Sequence, residues 1–177
     1  VNAEIGKLKN MLGDDEGANN NWIKSQKIFV ENYKKKEQYS KEGNEQYASG
    51  DYKDAIYSFT KAIKIIPTDV NTYYDRAQAK CSLGDHQGSI EDCNITIEID
   101  PDNKLSYIIR STSKKMKGDI TGALNDIHKA LEIDPLYALG YETIAALKEE
   151  LGDDKSSSEN LQKAIDSYKQ RGLNRQK

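Results

Sequence analysis

The side chains best suited to metal binding or nucleophilic chemistry are two histidines and two cysteines, and their spacing serves neither purpose. His86 and His128 lack a Cys or acidic partner at the spacing a metal site uses. Cys81 and Cys93 stand 12 positions apart without a C-x-x-C pattern, which fits structural thiols. No glycine-rich phosphate loop, H-E-x-x-H, G-x-S-x-G or nucleophile–base set occurs. The expectation is a protein that is not an enzyme and that needs no metal and no cofactor. Charge narrows the field further. The 26 Lys and Arg nearly balance 29 Asp and Glu, so the basic stripe of a nucleic-acid binder is missing. No apolar run nears the ~18 residues of a membrane span. Without a recognisable targeting segment a cytoplasmic location is expected, although the chain begins on Val1 rather than Met.

What positions the remaining side chains is a repeat. Pro67, Pro101 and Pro135 are spaced by 34 residues, and Gly50-Asp51, Gly84-Asp85, Gly118-Asp119 and Gly152-Asp153 recur at the same interval. Tyr39, Tyr73, Tyr107 and Tyr141 keep that phase, as do Gly43, Ala77, Ser111 and Ala145. So do Ala55, Ser89, Ala123 and Ser157, then Phe59, Cys93, Ile127 and Leu161, then Ala62, Thr96, Ala130 and Ala164. One unit reads as two helices. Tyr73, Arg76, Ala77, Lys80 and Leu83 share one helical face, and Ser89, Ile90, Cys93, Thr96 and Ile97 share another. Gly84 supplies the stop between them and Asp85 the N-cap of the second helix. Pro101 closes the unit, because the residue before a proline is biased out of the helical region.

This pattern of aromatic, small residue, turn glycine, alanine, aromatic, alanine and proline resembles the tetratricopeptide repeat (TPR) family. The segment Tyr39–Pro67 carries the resemblance most fully, whereas the second unit has Ser89, Cys93 and Thr96 where Ala, an aromatic and Ala are typical. The resemblance implies an all-α, right-handed superhelix of four helix-turn-helix units at 36–69, 70–103, 104–137 and 138–171. Residues 1–35 are read as an N-terminal helical extension or cap, and 172–177 as a C-terminal tail. Within the extension we expect a helix at 2–12, a loop over Gly13–Asn21, and a helix from about 20 that runs into the first unit. The stretch from Asp154 onward has the charge expected of a polar end cap. Composition agrees with an elongated shape. The apolar share is roughly 37% with glycine counted in and tyrosine out, below the usual ~45–50%, while the charged share is 31%.

In TPR arrays the first helices of successive units line a concave groove. Projected onto this sequence, the groove receives Asn44 and Tyr47 from the first unit, and Asn71, Tyr74, Asp75 and Gln78 from the second. The third contributes Leu105, Ile108, Ile109 and Thr112. Amide side chains can both donate to and accept from a bound backbone, and exposed branched aliphatics mark contact surface. The function implied is a non-catalytic scaffold binding a partner peptide or protein segment. The alternative is a self-assembling protein, a homo-oligomer joined through its N-terminal hairpin or a solenoid end. Neither nucleic acid nor a membrane span is expected. The family's carboxylate clamp, which grips chaperone C-termini with Asn, Lys and Arg, is disfavoured. Of its positions only Asn44 is retained, and the others carry Ser40, Asp75, Leu105 and Ile109. Lys41 and Arg110 lie one step away, and one step turns a side chain by about 100°.

Overall fold

The computed structural model describes residues 4, 5, 7 and 15–172. From residue 15 onward the chain forms α1 (Asp15–Ala48), α2 (Tyr52–Ile65), α3 (Val70–Leu83), α4 (His86–Ile99), α5 (Lys104–Met116), α6 (Ile120–Ile133), α7 (Ala138–Glu150) and α8 (Asp154–Gln170). No strand occurs among the described residues. Of the helix expected at 2–12, Glu4, Ile5 and Lys7 are helical and the other positions lie outside the described residues.

The turns within each pair explain the antiparallel hairpins. Gly84 adopts φ of 90°, a left-handed conformation that ends α3, and its N–H returns to the Cys81 and Lys80 carbonyls. Asp85 then accepts from the Gly88 N–H at 2.9 Å and starts α4. Asp119 does the same for α6 through Gly122, also at 2.9 Å.

Each hairpin packs on the next through small, fully buried residues. Ala62, Thr96 and Ala130 have no exposed surface, nor do Ala55, Ser89 and Ala123. Gly43 inside α1 makes the same demand. A Cβ there would sit 2.5 Å from the Phe59 ring, which is itself buried. Among first helices, α1 touches α3 and α3 touches α5, whereas no pair of second helices is in comparable contact among the described residues. The array therefore curves toward its first helices, which form the inner layer.

Buried charge supplements the thin apolar core. Asp92 on α4 receives two bonds from Arg76, at 2.8 and 2.7 Å, and an ion pair from Lys80 at 2.9 Å. Arg76 also donates to Thr60 on α2, so one guanidinium ties three consecutive helices. The arrangement repeats one unit later, with Arg110 and Lys114 on Asp126 and Arg110 donating to Asn94. In the first unit the equivalent pair is neutral, Gln46 with Ser58 at 2.8 Å.

Two expectations need correction. The Gly13–Asn21 segment is not a loop where it is described, because α1 already begins at Asp15. The one glycine of that stretch inside the helix, Gly17, costs only about 1 kcal/mol, and no proline interrupts the 34 residues of α1, so the helix propagates through it. At the other end α8 is not a purely polar cap, since Leu161 and Ile165 remain exposed on it.

The packing phase generates a direct test. Ala130 is fully buried and Ala146, on the inner layer, is exposed. Replacing Ala130 with Leu is expected to cost about 1–3 kcal/mol through overpacking. Ala146→Leu is expected to stay within about 0.5 kcal/mol of the parent. Urea unfolding of the two variants measures both; equal costs would mean that the helical phase is wrong.

Candidate functional site

The inner layer consists of α1, α3, α5 and α7, and its exposed side is where the groove set falls. Asn44 and Asn71 are exposed, while Tyr74, Asp75 and Gln78 are half-buried. Among the described residues, none of these five side chains makes a hydrogen bond or ion pair within the fold. For the exposed amides that is ordinary. Tyr74 and Asp75 are half-buried but keep their polar atoms open to water or to a bound group. An open depression of about 500 Å³ runs along α1, lined by Tyr33, Lys36, Glu37, Ser40, Lys41 and Asn44, among others, so of the five only Asn44 borders it.

Asp75 is the most perturbed carboxyl of this surface. Burial, followed by the charge of Asp69, pushes its pKa from 3.8 up to about 6, with Lys36 opposing. Lys36 does not neutralise Asp75, since its ammonium is spent on Asp69 at 2.7 Å. Asp69 in turn caps α3 by accepting from the Thr72 N–H at 3.1 Å. Burial also raises the Tyr74 pKa, so its phenol stays a neutral donor near pH 7.

The third unit supplies the apolar part. Leu105 is 48% exposed, the largest exposure of any aliphatic side chain on α5 apart from Met116, and Ile109 is half-buried. Three of the expected groove residues serve the fold instead, at least in part. Ile108 packs against Ile127, Leu131 and Ile144, because it sits on the side of α5 turned to the core. The Tyr47 ring packs on Ala55, Phe59 and Ala79, with its hydroxyl 3.3 Å from that of Ser82. Thr112 is exposed, but its hydroxyl donates to the Ile108 carbonyl of its own helix.

Sequence reading overlooked that Asp75 lacks a counter-charge. The signal was present: Asn71, Thr72, Gln78 and Ala79 occupy the positions three and four residues either side, and none is a cation. Of the residues first weighed for chemistry, His128 is exposed, Cys93 is buried with its thiol pKa pushed up to about 12, and His86 holds a buried Nδ1 without a hydrogen-bond partner. No group of three or more His, Cys, Asp or Glu is placed to hold a metal among the described residues. No described helix is long and apolar enough to cross a membrane.

A family model for the TPR repeat matches residues 43–84. The crystal structure of MamA is 21% identical over 96% of this chain and 98% of its own, with a TM-score of 0.75. The TPR domain of Arabidopsis OM64 is 25% identical over 67% of this chain and 98% of its own, with a TM-score of 0.65. The first TPR of Spaghetti (RPAP3), solved with the HSP90 peptide SRMEEVD, is 21% identical over 67% of this chain and 94% of its own, with a TM-score of 0.65. No curated protein matches the chain. The shared architecture is the all-helical TPR solenoid.

The unmatched carboxyl has a measurable consequence. A carboxyl whose pKa is raised on folding contributes most below its unfolded value, and that contribution is lost as pH climbs from about 4 through about 6. Asp75→Asn is therefore expected to melt higher than the parent at pH 7.5 and about equally at pH 4. Thermal unfolding at the two pH values decides it; a parent more stable than the variant at pH 7.5 would mean that the carboxylate has an internal partner.

Proposed function

We propose that this chain, which has the TPR solenoid fold and matches the TPR repeat over residues 43–84, is a non-catalytic scaffold that holds a segment of another protein against its inner layer. Residues 36–171 form the scaffold in this reading and 1–35 an extension of it. The observation that carries the proposal is the set Asn44, Asn71, Tyr74, Asp75 and Gln78, whose side chains have no partner within the fold among the described residues, beside exposed Leu105 and half-buried Ile109. The amides and phenol suit the backbone of an extended segment, and the aliphatics suit an apolar anchor. A chaperone-type carboxylate terminus is a poor fit, because it would meet Asp75 and two hydrocarbon side chains where a clamp has polar and cationic groups.

Leu105→Asp combined with Ile109→Asp is expected to abolish partner capture while circular dichroism keeps its parental helical signal. Capture by the double variant at the parental level would place the contact elsewhere. Loss of helicity would assign the two residues to the core.

A second reading, self-association, is favoured by α1. Its 34 residues span about 50 Å, whereas the 14 residues of α2 cover about 20 Å. Trp22, Ile28, Phe29, Val30 and Tyr33 are exposed along the first half, Phe29 by 64%. Apolar surface on this scale marks an interface. Light scattering over a hundredfold concentration range is expected to show mass growth that Phe29→Asp with Val30→Asp removes; a constant monomer mass for the parent would rule the reading out.

A further inference from the structure

The repeat gives each inner helix equivalent outward positions, and their occupants differ sharply from unit to unit. Asp75 on α3 has Ile109 as its equivalent on α5, and Asn71 has Leu105. Because α3 and α5 are in contact, Asp75 and these branched aliphatics stand at equivalent positions of neighbouring inner helices.

Asp75 also differs from four other sheltered aspartates. Asp92 is matched by Arg76 and Lys80, Asp126 by Arg110 and Lys114, Asp134 by Lys104 and Arg171, and Asp69 by Lys36. Asp75 has no such match among the described residues, and the cations around it are committed elsewhere. Arg76 and Lys80, on its own helix, turn to Asp92, and Lys36 across on α1 holds Asp69. Lys41, the equivalent of Asp75 on α1, lies 3.8 Å from Glu45. A half-desolvated carboxylate with idle lone pairs attracts an incoming cation more strongly than one in open water does. Branched hydrocarbon on the neighbouring inner helix suits the methylene stem of a long basic side chain, which buries its stem and presents its charged head.

Building on the groove reading above, we propose that Asp75 receives one lysine or arginine side chain of the bound segment, its stem lying along Leu105 and Ile109. The groove then selects basic over acidic partners, the reverse of a carboxylate clamp. The head group donates to the Asp75 carboxylate, and charge pairing displaces any proton held there. Binding near pH 6 thus releases a proton, and binding at pH 8 does not.

The test uses the full chain as bait for a randomised peptide library displayed on phage, alongside Asp75→Asn, Asp75→Lys and the Leu105→Asp/Ile109→Asp variant, all checked for parental helicity. The parent is expected to enrich peptides with a Lys or Arg at a fixed distance from an aliphatic residue. Asp75→Asn is expected to keep the aliphatic and lose the cation, and Asp75→Lys to select Glu or Asp in its place. A synthetic copy of an enriched peptide is expected to lose about tenfold in affinity on Asp75→Asn, about 1.4 kcal/mol. Calorimetry at pH 6 in two buffers of different ionisation enthalpy is expected to report proton release with the parent and none with Asp75→Asn. Enriched peptides without a fixed cation, yet lost on the Leu105/Ile109 variant, would overturn the assignment of Asp75 and leave the groove standing. Peptides that bind the Leu105/Ile109 variant as well as the parent, or no enrichment at all, would overturn the groove reading and this proposal with it.

Discussion

The constraint on which the structure depends is the close approach of helices at side chains too small to hold them apart. Ala62, Thr96 and Ala130 are fully buried where one hairpin meets the next, and Gly43 lies under the Phe59 ring where a methyl group would collide. Small contacts bury little apolar area each, and this chain has little to bury. The two central units add buried charge. Arg76 joins α2, α3 and α4, and Arg110 joins α4, α5 and α6, each ending on a buried aspartate. Such clusters contribute modestly against well-packed hydrocarbon but cost about 3–5 kcal/mol when halved. Their effect is to fix which helices are neighbours and at what register.

Because stability is built between the layers and across the units, the outward side of the inner helices is left with little to do for the fold. That freedom separates the groove from the scaffold. Arg76 and Asp75 are adjacent in sequence, yet one secures three helices and the other has no partner among the described residues. A single turn of α3 thus carries a structural cation on one side and an unsatisfied anion on the other.

The fold was legible in the sequence because its signals are periodic and local: glycine stops, aspartate caps, and small residues in one 34-residue phase. The charge clusters were only half legible. Arg76 and Lys80 could be placed on a packing face, but their partner Asp92 lies on the next helix, outside the repeated spacing of small and aromatic residues. The candidate site was legible as positions and less so as roles. Ile108 and Tyr47 satisfy the groove spacing, yet each packs on a buried cluster of the core. The Gly13–Asn21 segment misled for another reason. Loop-favouring residues weigh against a helix one at a time, whereas helix propagation from a long uninterrupted stretch acts on them together.

The ends of the array follow from the same physics as its middle. A repeat contacts only its neighbours, so among the described residues the first and last units each have a flanking unit on one side only. At the C-terminal end the buried cluster lapses. Asn160 replaces the aspartate of earlier units and donates to the Ser156 carbonyl, and Lys148 reaches Asp153 at 3.5 Å instead. The contact between α6 and α7 is also sparser than the corresponding contacts earlier in the array. Beside the buried cluster of Ile127, Leu131 and Ile144, the last hairpin is tied by peripheral pairs: Lys115 to Glu150, and Arg171 back to Asp134, whose pKa falls to about 2 through its bonds to Lys104 and Arg171. These pairs are partly exposed and contribute less than the buried clusters. Asp75, Leu105 and Ile109 lie on the two helices whose arginines, Arg76 and Arg110, end on buried aspartates, and a binding surface gains from standing on well-anchored elements.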